Sequence, residues 1–525
     1  MLADSRGMQG QANKQLVLAA MIFAVAMMFI DQTIVAIAIP DIENDLDLTA
    51  TGAQWIINGY LLALSALFAF GGKLTDVLGH RRMVLIGVVG FAVASALCGA
   101  TPSGDIGEAW IIAFRIVQGA FAAVMFPAAL AIVVSAFDVR ERGKALAIFF
   151  AVTGGLTSIG PLAGGFLVEW TWRAIFWINI PVAIIAVLLT LKAKPDNTRK
   201  QVPIDYRGTI LVCAGMGLIV LGLQQSSVWG WGSVATWATI VIGLLLMVAF
   251  WRLQLRIPDP LIRVRIFADR YFTADNAVLF LMSACFIPVF FFASIYSQLV
   301  LEYNASNAGL YLVIFFGGFA AAAQVGGRLL DARGAFIPVV AGCAIAAIGF
   351  YLWAQQMTDA SLNSQWIYIV ITGAGMGLVL SPVSTDALNR APVGSYGEVT
   401  GITQTVRNFG SSLGLAVLGT IMISSNRTNL ESTLGAVGVP RQASDRIADQ
   451  LSSGAGGGGS SGASDASDRV FQAVQHGFAL TSETVFTVMA AIMAVAFIVA
   501  LLFMSKTVAP QVAEAHEDAE AAAVS

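Results

Sequence analysis

The chain has 525 residues, 57% hydrophobic and only 12% charged, with a formal net charge of -3. A soluble domain carries about 25% charged residues, so a water-facing globular body is excluded. The apolar residues come in runs of about 20, enough to cross a hydrocarbon core roughly 30 Å thick. The chain therefore reads as an all-α membrane protein that crosses the bilayer many times.

Fourteen spans are predicted, at about 16–39, 54–71, 83–101, 109–134, 143–168, 174–193, 208–225, 235–252, 273–300, 307–330, 336–355, 365–388, 397–424 and 484–505. Residues 208–225 and 397–424 give the weakest apolar signal, being rich in Gly and small polar residues. Met1 to Lys14 carries Arg6 and Lys14. The apolar run that follows is too long for a signal-peptide core and has no clear cleavage site, so it reads as a retained first helix.

The first span contains Asp31. A carboxylate inside a membrane helix costs about 2.5–3.5 kcal/mol on insertion scales, and such groups are functional candidates by default. Asp31 is read as a proton-binding group that the rest of the chain exposes to each side of the membrane in turn. The alternative is a carboxylate hydrogen-bonded in the bundle interior without titrating. The second span offers Gln54, Asn58 and Tyr60 as polar residues out of place in an apolar run, with Gln54 and Asn58 on one helix face. Phe126 in the fourth span, Asn276, Phe290, Tyr296 and Gln298 in the ninth are further candidates for lining a substrate pocket. Asp275 and Asp386 lie near helix ends, where a structural role is expected. Arg115 in the fourth span is a fixed cation that needs a carboxylate, carbonyl or water partner.

Under one orientation the basic residues fall almost entirely on one side. With the N terminus cytoplasmic, the inner loops hold Lys73, Arg81 and Arg82, then Arg140, Arg142 and Lys144, and further basic groups at 192–207 and 252–270. The short outer loops are almost free of them, Arg173 excepted, and the first carries Asp41, Glu43, Asp45 and Asp47. The positive-inside rule then puts both termini in the cytoplasm. One outer segment, about 425–483, is long and contains a Gly/Ser-rich run at 452–462, expected to be a flexible coil. The tail at 511–525 is acidic and Ala-rich.

Gly72-Lys73-Leu74-Thr75-Asp76-Val77-Leu78-Gly79 follows the second span, and Gly327-Arg328-Leu329-Leu330-Asp331-Ala332-Arg333-Gly334 follows the tenth. Both read Gly-basic-Leu-x-Asp-x-x-Gly. Placing them at equivalent positions of two six-helix halves leaves two extra helices between, a 6 + 2 + 6 arrangement. The expected divisions are 1–200, an inserted pair at 201–265, and 266–510.

At these residues the chain resembles the major facilitator superfamily, and more narrowly its fourteen-helix drug:proton antiporter family of multidrug exporters. The resemblance runs from about Leu16 to Lys506. Gly72 to Arg82 is similar to the first loop motif of the superfamily. It implies a gating latch from Gly72, Asp76, Gly79, Arg81 and Arg82, with Arg140 or Arg142 as the partner of Asp76. Arg115-Ile116-Val117-Gln118-Gly119 resembles the second motif, which ties Arg115 to proton transfer. Gly160-Pro161-Leu162-Ala163-Gly164-Gly165 resembles the antiporter motif, with Leu156 where an earlier glycine would stand. Asp31 to Pro40, Trp55 to Leu62, Trp172 to Pro181, Asp205 to Gly208, Trp229 to Trp231, Pro260 to Phe267, Ser381 to Ser384 and Gly401 to Arg407 match further family segments in order.

The function implied is proton-coupled export of amphiphilic compounds across the cell membrane by alternating access, with Asp31 and Arg115 coupling the proton. Export of an endogenous lipid or metabolite is an alternative within the same class, and a non-transporting sensor or scaffold is an alternative outside it. No phosphate-binding Gly-x-x-x-x-Gly-Lys-Ser/Thr loop is present, so the proton gradient is the expected energy source, with no cofactor. Cys98, Cys213, Cys285 and Cys343 sit on different spans in no metal or disulfide spacing. His80, His476 and His516 all fall in predicted loops. No nucleophile-base constellation appears, so enzyme chemistry is not expected. The expected partners are a small amphiphile, protons and membrane lipid, with no nucleic acid, and the working unit is taken as a monomer.

Overall fold

The structure is a computed structural model. It describes residues 2–137, 159–195, 205–390, 396–437 and 465–506, together with 145, 148, 149, 152, 156, 203 and 439. Among these residues the regular structure is helical throughout.

The helices are α1 (Leu2–Leu46), α2 (Ala50–Leu78), α3 (His80–Gly99), α4 (Gly107–Ala136), α5 (Ile159–Trp170), α6 (Ala174–Trp177) and α7 (Asn179–Ala193). They continue with α8 (Tyr206–Trp229), α9 (Val234–Gln254), α10 (Arg270–Leu299), α11 (Ala305–Arg333), α12 (Phe336–Gln355), α13 (Leu362–Asn389), α14 (Tyr396–Ala436) and α15 (Asp465–Phe503). Thirteen described helices are long and apolar enough to cross a membrane. The predicted span 143–168 is described in part, as α5.

The helices start and stop where local chemistry directs. Thr49 caps α2 by accepting from Gly52 N at 2.9 Å. Gly79 joins α2 to α3 at φ +98°, a conformation that other residues adopt only with strain. Asp205 caps α8 by accepting from Gly208 N at 2.8 Å. Its other oxygen accepts from Gln254 Nε2 at 2.6 Å, which ties α8 to the end of α9.

Burial sorts the helices into inner and outer. The apolar windows of α1 and α10 are 83% and 89% buried, whereas that of α9 is 17% buried. A helix that is apolar all round and exposed is suited only to lipid. Thus α9 is peripheral, and α1 and α10 are central.

Helices α1–α7 pack mainly among themselves, as do α10–α15. Among the described residues the main seams between the bundles are α2 with α14, α5 with α11, and α1 with α10. Helices α8 and α9 pair with each other, and α8 leans on α2 and α14. A separate apolar cluster there gathers Val212, Met216 and Phe250 with Leu261, Phe272, Ala387 and Ile402.

Three expectations need correction. The helices of the predicted spans 397–424 and 484–505 are longer than expected: α14 continues to Ala436 and α15 begins at Asp465. The extension is held by Leu430, Leu434 and Ala473, which pack together beyond the apolar runs. His476 therefore lies in a helix, and His80 opens α3 and is buried. The Gly/Ser-rich run and His516 lie outside the described residues. All four cysteines are free thiols, as expected from their spacing.

Candidate functional site

Asp31 sits near the middle of the apolar span Lys14–Leu46 of α1, and its side chain is fully buried. From α4, Arg115 Nη1 reaches Asp31 Oδ2 at 2.5 Å and donates to Gln118 Oε1 at 2.7 Å. Gln118 Nε2 donates to Asp31 Oδ1 at 2.9 Å, so each carboxylate oxygen has a donor. Arg115 Nε donates to the carbonyl of Ile56 on α2 at 2.9 Å. The guanidinium lies 4.4 Å from the Tyr60 ring centroid and 5.9 Å from that of Phe176. The three polar residues form a closed, neutral set. A proton arriving on Asp31 would cancel its charge and leave Arg115 a buried cation without a counter-ion, an arrangement that is strongly unfavourable. Protonation is therefore coupled by electrostatics to rearrangement around Arg115.

The neighbouring stretch of α1 is packed directly against α5. A Cβ on Gly160 would overlap Thr33 Oγ1 and lie 3.0 Å from Ile30 O. One on Gly164 would lie 2.9 Å from Ile34 Cγ1. The same helix meets the other bundle: a Cβ on Gly165 would lie 2.7 Å from Ala305 O, and one on Gly309 would overlap the Pro161 carbonyl. Glycine and proline thus bring α5 into backbone contact with the Asp31 helix on one side and with α11 on the other.

The expected pocket residues fall into different roles. Asn58 is fully used as a clamp: its Nδ2 donates to Gln224 Oε1 on α8 at 2.8 Å, and its Oδ1 accepts from Ser412 Oγ on α14 at 2.7 Å. Gln54, on the same face, packs against Gly419 of α14, so that face serves the seam. Tyr296 donates to Met357 O at 2.6 Å and accepts from Gln365 Nε2 at 2.7 Å, inside a network with Tyr311 and Trp353. Gln298 donates to Ile37 O of α1 at 3.2 Å, another seam contact. Asn276 donates to Phe272 O one turn back. Phe290 stacks on Phe316 at 4.9 Å, and Phe126 packs among Phe29, Phe68 and Phe149. Tyr60 supports Arg115. In this conformation Asn58, Tyr296 and Gln298 hold helices together through hydrogen bonds, whereas Gln54 Nε2, the Tyr60 hydroxyl and Asn276 Oδ1 are buried with no hydrogen-bond partner among the described residues. Half-buried Arg407 of α14 is different. It reaches across to α1, 5.9 Å from the Phe29 ring, with no ion pair among the described residues.

The Major Facilitator Superfamily profile matches residues 21–415. The chain belongs to the major facilitator superfamily. It is 32% identical over 492 residues to the tetracenomycin C resistance and export protein of Streptomyces glaucescens, covering 92% of this chain and 90% of that protein. It is 32% identical over 415 residues to the puromycin resistance protein pur8 of Streptomyces alboniger, covering 77% and 81%. Among solved structures, a bacterial homologue of the human lysosomal transporter Spinster superposes with a TM-score of 0.60 at 14% identity, covering 95% and 99%. This major facilitator protein is a multi-pass membrane transporter, not an enzyme.

In the transporter's first loop motif, Asp76 is partly exposed and lies 3.9 Å from His80 Nε2 one turn on. Thr75 donates to Gly71 O and Gly72 O, closing the end of α2. Arg81 is half-buried and Arg82 exposed. Arg140 and Arg142 lie outside the described residues. Arg173 pairs with Asp45 at 2.7 Å.

A second charged cluster lies in the C-terminal bundle. Arg390 Nε of α13 is 2.7 Å from Asp386 Oδ2 and 3.5 Å from Asp275 Oδ2 of α10, and all three side chains are at least nine-tenths buried. Gln118 and Arg390 were not among the expected site residues. Each lies three or four residues from a charged one on the same helix, a spacing that places them on one face.

Proposed function

We propose that this transporter exports an amphiphilic compound in exchange for protons. Asp31 binds the proton, and Arg115 and Gln118 hold the carboxylate when it is empty. The observation that carries this is the closed Asp31–Arg115–Gln118 set, which a single proton must disrupt. Helix α5 supplies the link to alternating access, since its glycines press on α1 beside Asp31 and on α11 of the opposite bundle. Arg407 of α14, reaching towards Phe29 of α1 in the opposite bundle, is the cation a passing substrate would meet. The Gly72–Arg82 loop acts as the latch at the basic end, which faces the cytoplasm together with both termini. The two bundles, 1–200 and 266–510, rock about the seams, with the pair at 201–265 as an insert.

Purified protein in liposomes tests this. With a pH gradient imposed, efflux of a lipophilic cation such as ethidium should follow the gradient, and Asp31→Asn should uncouple it. Transport that ignores the gradient would remove proton coupling from the account. Failure to move any amphiphile would remove export itself. Relatives named for one compound each, tetracenomycin C and puromycin, favour a second reading: export of one metabolite rather than many drugs. A panel of amphiphiles in the same liposomes separates broad from narrow transport.

A further inference from the structure

The cluster of Asp275, Asp386 and Arg390 differs from the Asp31 set in its charge count. There, one acid faces one arginine. Here two acids face one arginine, at a site whose side chains are 1%, 4% and 6% exposed. Among the described residues, neither oxygen of Asp275 has a hydrogen-bond donor, and Arg390 Nη2 has no acceptor. Buried carboxylate oxygens without donors are rare, because leaving them so carries a desolvation cost. Phe272 and Ala387, both buried in the apolar cluster that seats the inserted helices, lie beside the trio in sequence.

The charged groups acting on Asp275 are Asp386 and Arg390 from α13 and Asp269 from the turn before α10. Tyr271 lies under Arg390 at 5.0 Å and under Arg270 at 4.5 Å. The ionised trio carries one uncompensated negative charge. One proton shared by the two acids brings it to neutrality and gives Asp275 the missing donor. Paired carboxylates at close range hold a proton in this way.

We propose that Asp275 and Asp386 together bind one proton, at a second site separate from Asp31 and housed in the opposite bundle. As a coupling site it rests on the proton-exchange reading above; as a binding site it does not. Rearrangement at this end of α10 and α13 would open the trio to water and release the proton. A transport cycle would then move one proton more than Asp31 alone provides.

The test is an infrared pH titration of the full chain in lipid nanodiscs, which needs no substrate. The protein should show carboxylic-acid carbonyl bands that vanish as pH rises. Asp275→Asn should remove one band and lower the protons released per chain by one, as read by an indicator dye. Asp31→Asn should remove a different band. If Asp275→Asn does not fold, Asp275→Glu should shift the same band. A titration in which Asp275→Asn or Asp275→Glu leaves every band and the proton count unchanged overturns the proposal. So does a wild-type band that responds to sodium rather than to pH. Loss of pH-driven transport in wild type, with both bands present, would overturn the exchange reading and leave this site standing.

Discussion

Arg115 is shared between the Asp31 carboxylate, the Gln118 amide and the Ile56 carbonyl, and that sharing decides what each substitution does. Asp31→Asn leaves a buried arginine without a counter-charge, which destabilises by roughly 3–5 kcal/mol where a buried pair is broken. Asp31→Asn with Arg115→Gln removes both charges and should recover most of that loss. Thermal unfolding in detergent should therefore rank wild type and the double variant above Asp31→Asn. Proton-driven efflux should be absent from both variants. A double variant that unfolds as early as Asp31→Asn would show that the pair does not set stability. Asp31 and Arg115 were legible in the sequence because a charge in an apolar run has few explanations. Gln118 was not, because a neutral amide in a helix raises no alarm until its partners are known. Tyr296 and Asn58 mark the opposite failure. A polar residue in an apolar run can face a cavity or bond to a neighbouring helix, and the sequence pattern is the same in both cases.

At the scale of the helix, α5 shows what small residues do. Its glycines are spaced so that Gly160 and Gly164 meet α1 while Gly165 meets α11. Gly165→Val would push side-chain atoms into the Ala305 carbonyl and Ser306, and overpacking of this kind costs about 1–3 kcal/mol. The expected result is a lower unfolding temperature and slower transport, with the Asp31 set intact. Gly327→Ala is the control. Nothing lies within 4 Å of a Cβ there, and alanine favours a helix interior by up to about 1 kcal/mol. It should leave stability equal or raised. Equal losses from both substitutions would mean that close approach at the α5–α11 seam is not what the glycines serve. Helix positions were readable from apolar period and length. The extensions of α14 and α15 were not, because they depend on one polar helix lying against another.

For the molecule as a whole, the question is what the inserted pair α8 and α9 is attached to. Helix α9 is mostly exposed to the surroundings, so its hold on the bundle comes mainly through α8, with Phe250 near its end joining the apolar cluster at Phe272. Gln224 of α8 donates to Thr51 O at 3.1 Å and accepts from Asn58, and Asn58 accepts in turn from Ser412 of α14. One amide thus links the N-terminal bundle, the insert and the C-terminal bundle. Such a link resists separation of α2 from α14 whenever the bundles rock. Asn58→Leu would leave Gln224 and Ser412 each short of a partner, at a cost of about 1–3 kcal/mol for a buried polar group. Stability in detergent should fall, and the apparent affinity for a transported amphiphile should stay within about twofold, a change of less than 1 kcal/mol. Gln224→Leu, at the other end of the same bond, should fall by a similar amount, and the two losses should add only in part, because the variants share the Asn58–Gln224 bond while each removes one more, to Ser412 or to Thr51 O. Fully additive losses, or a large rise in the concentration needed for half-maximal transport in Asn58→Leu alone, would return Asn58 to the substrate path and leave the insert tied by packing only.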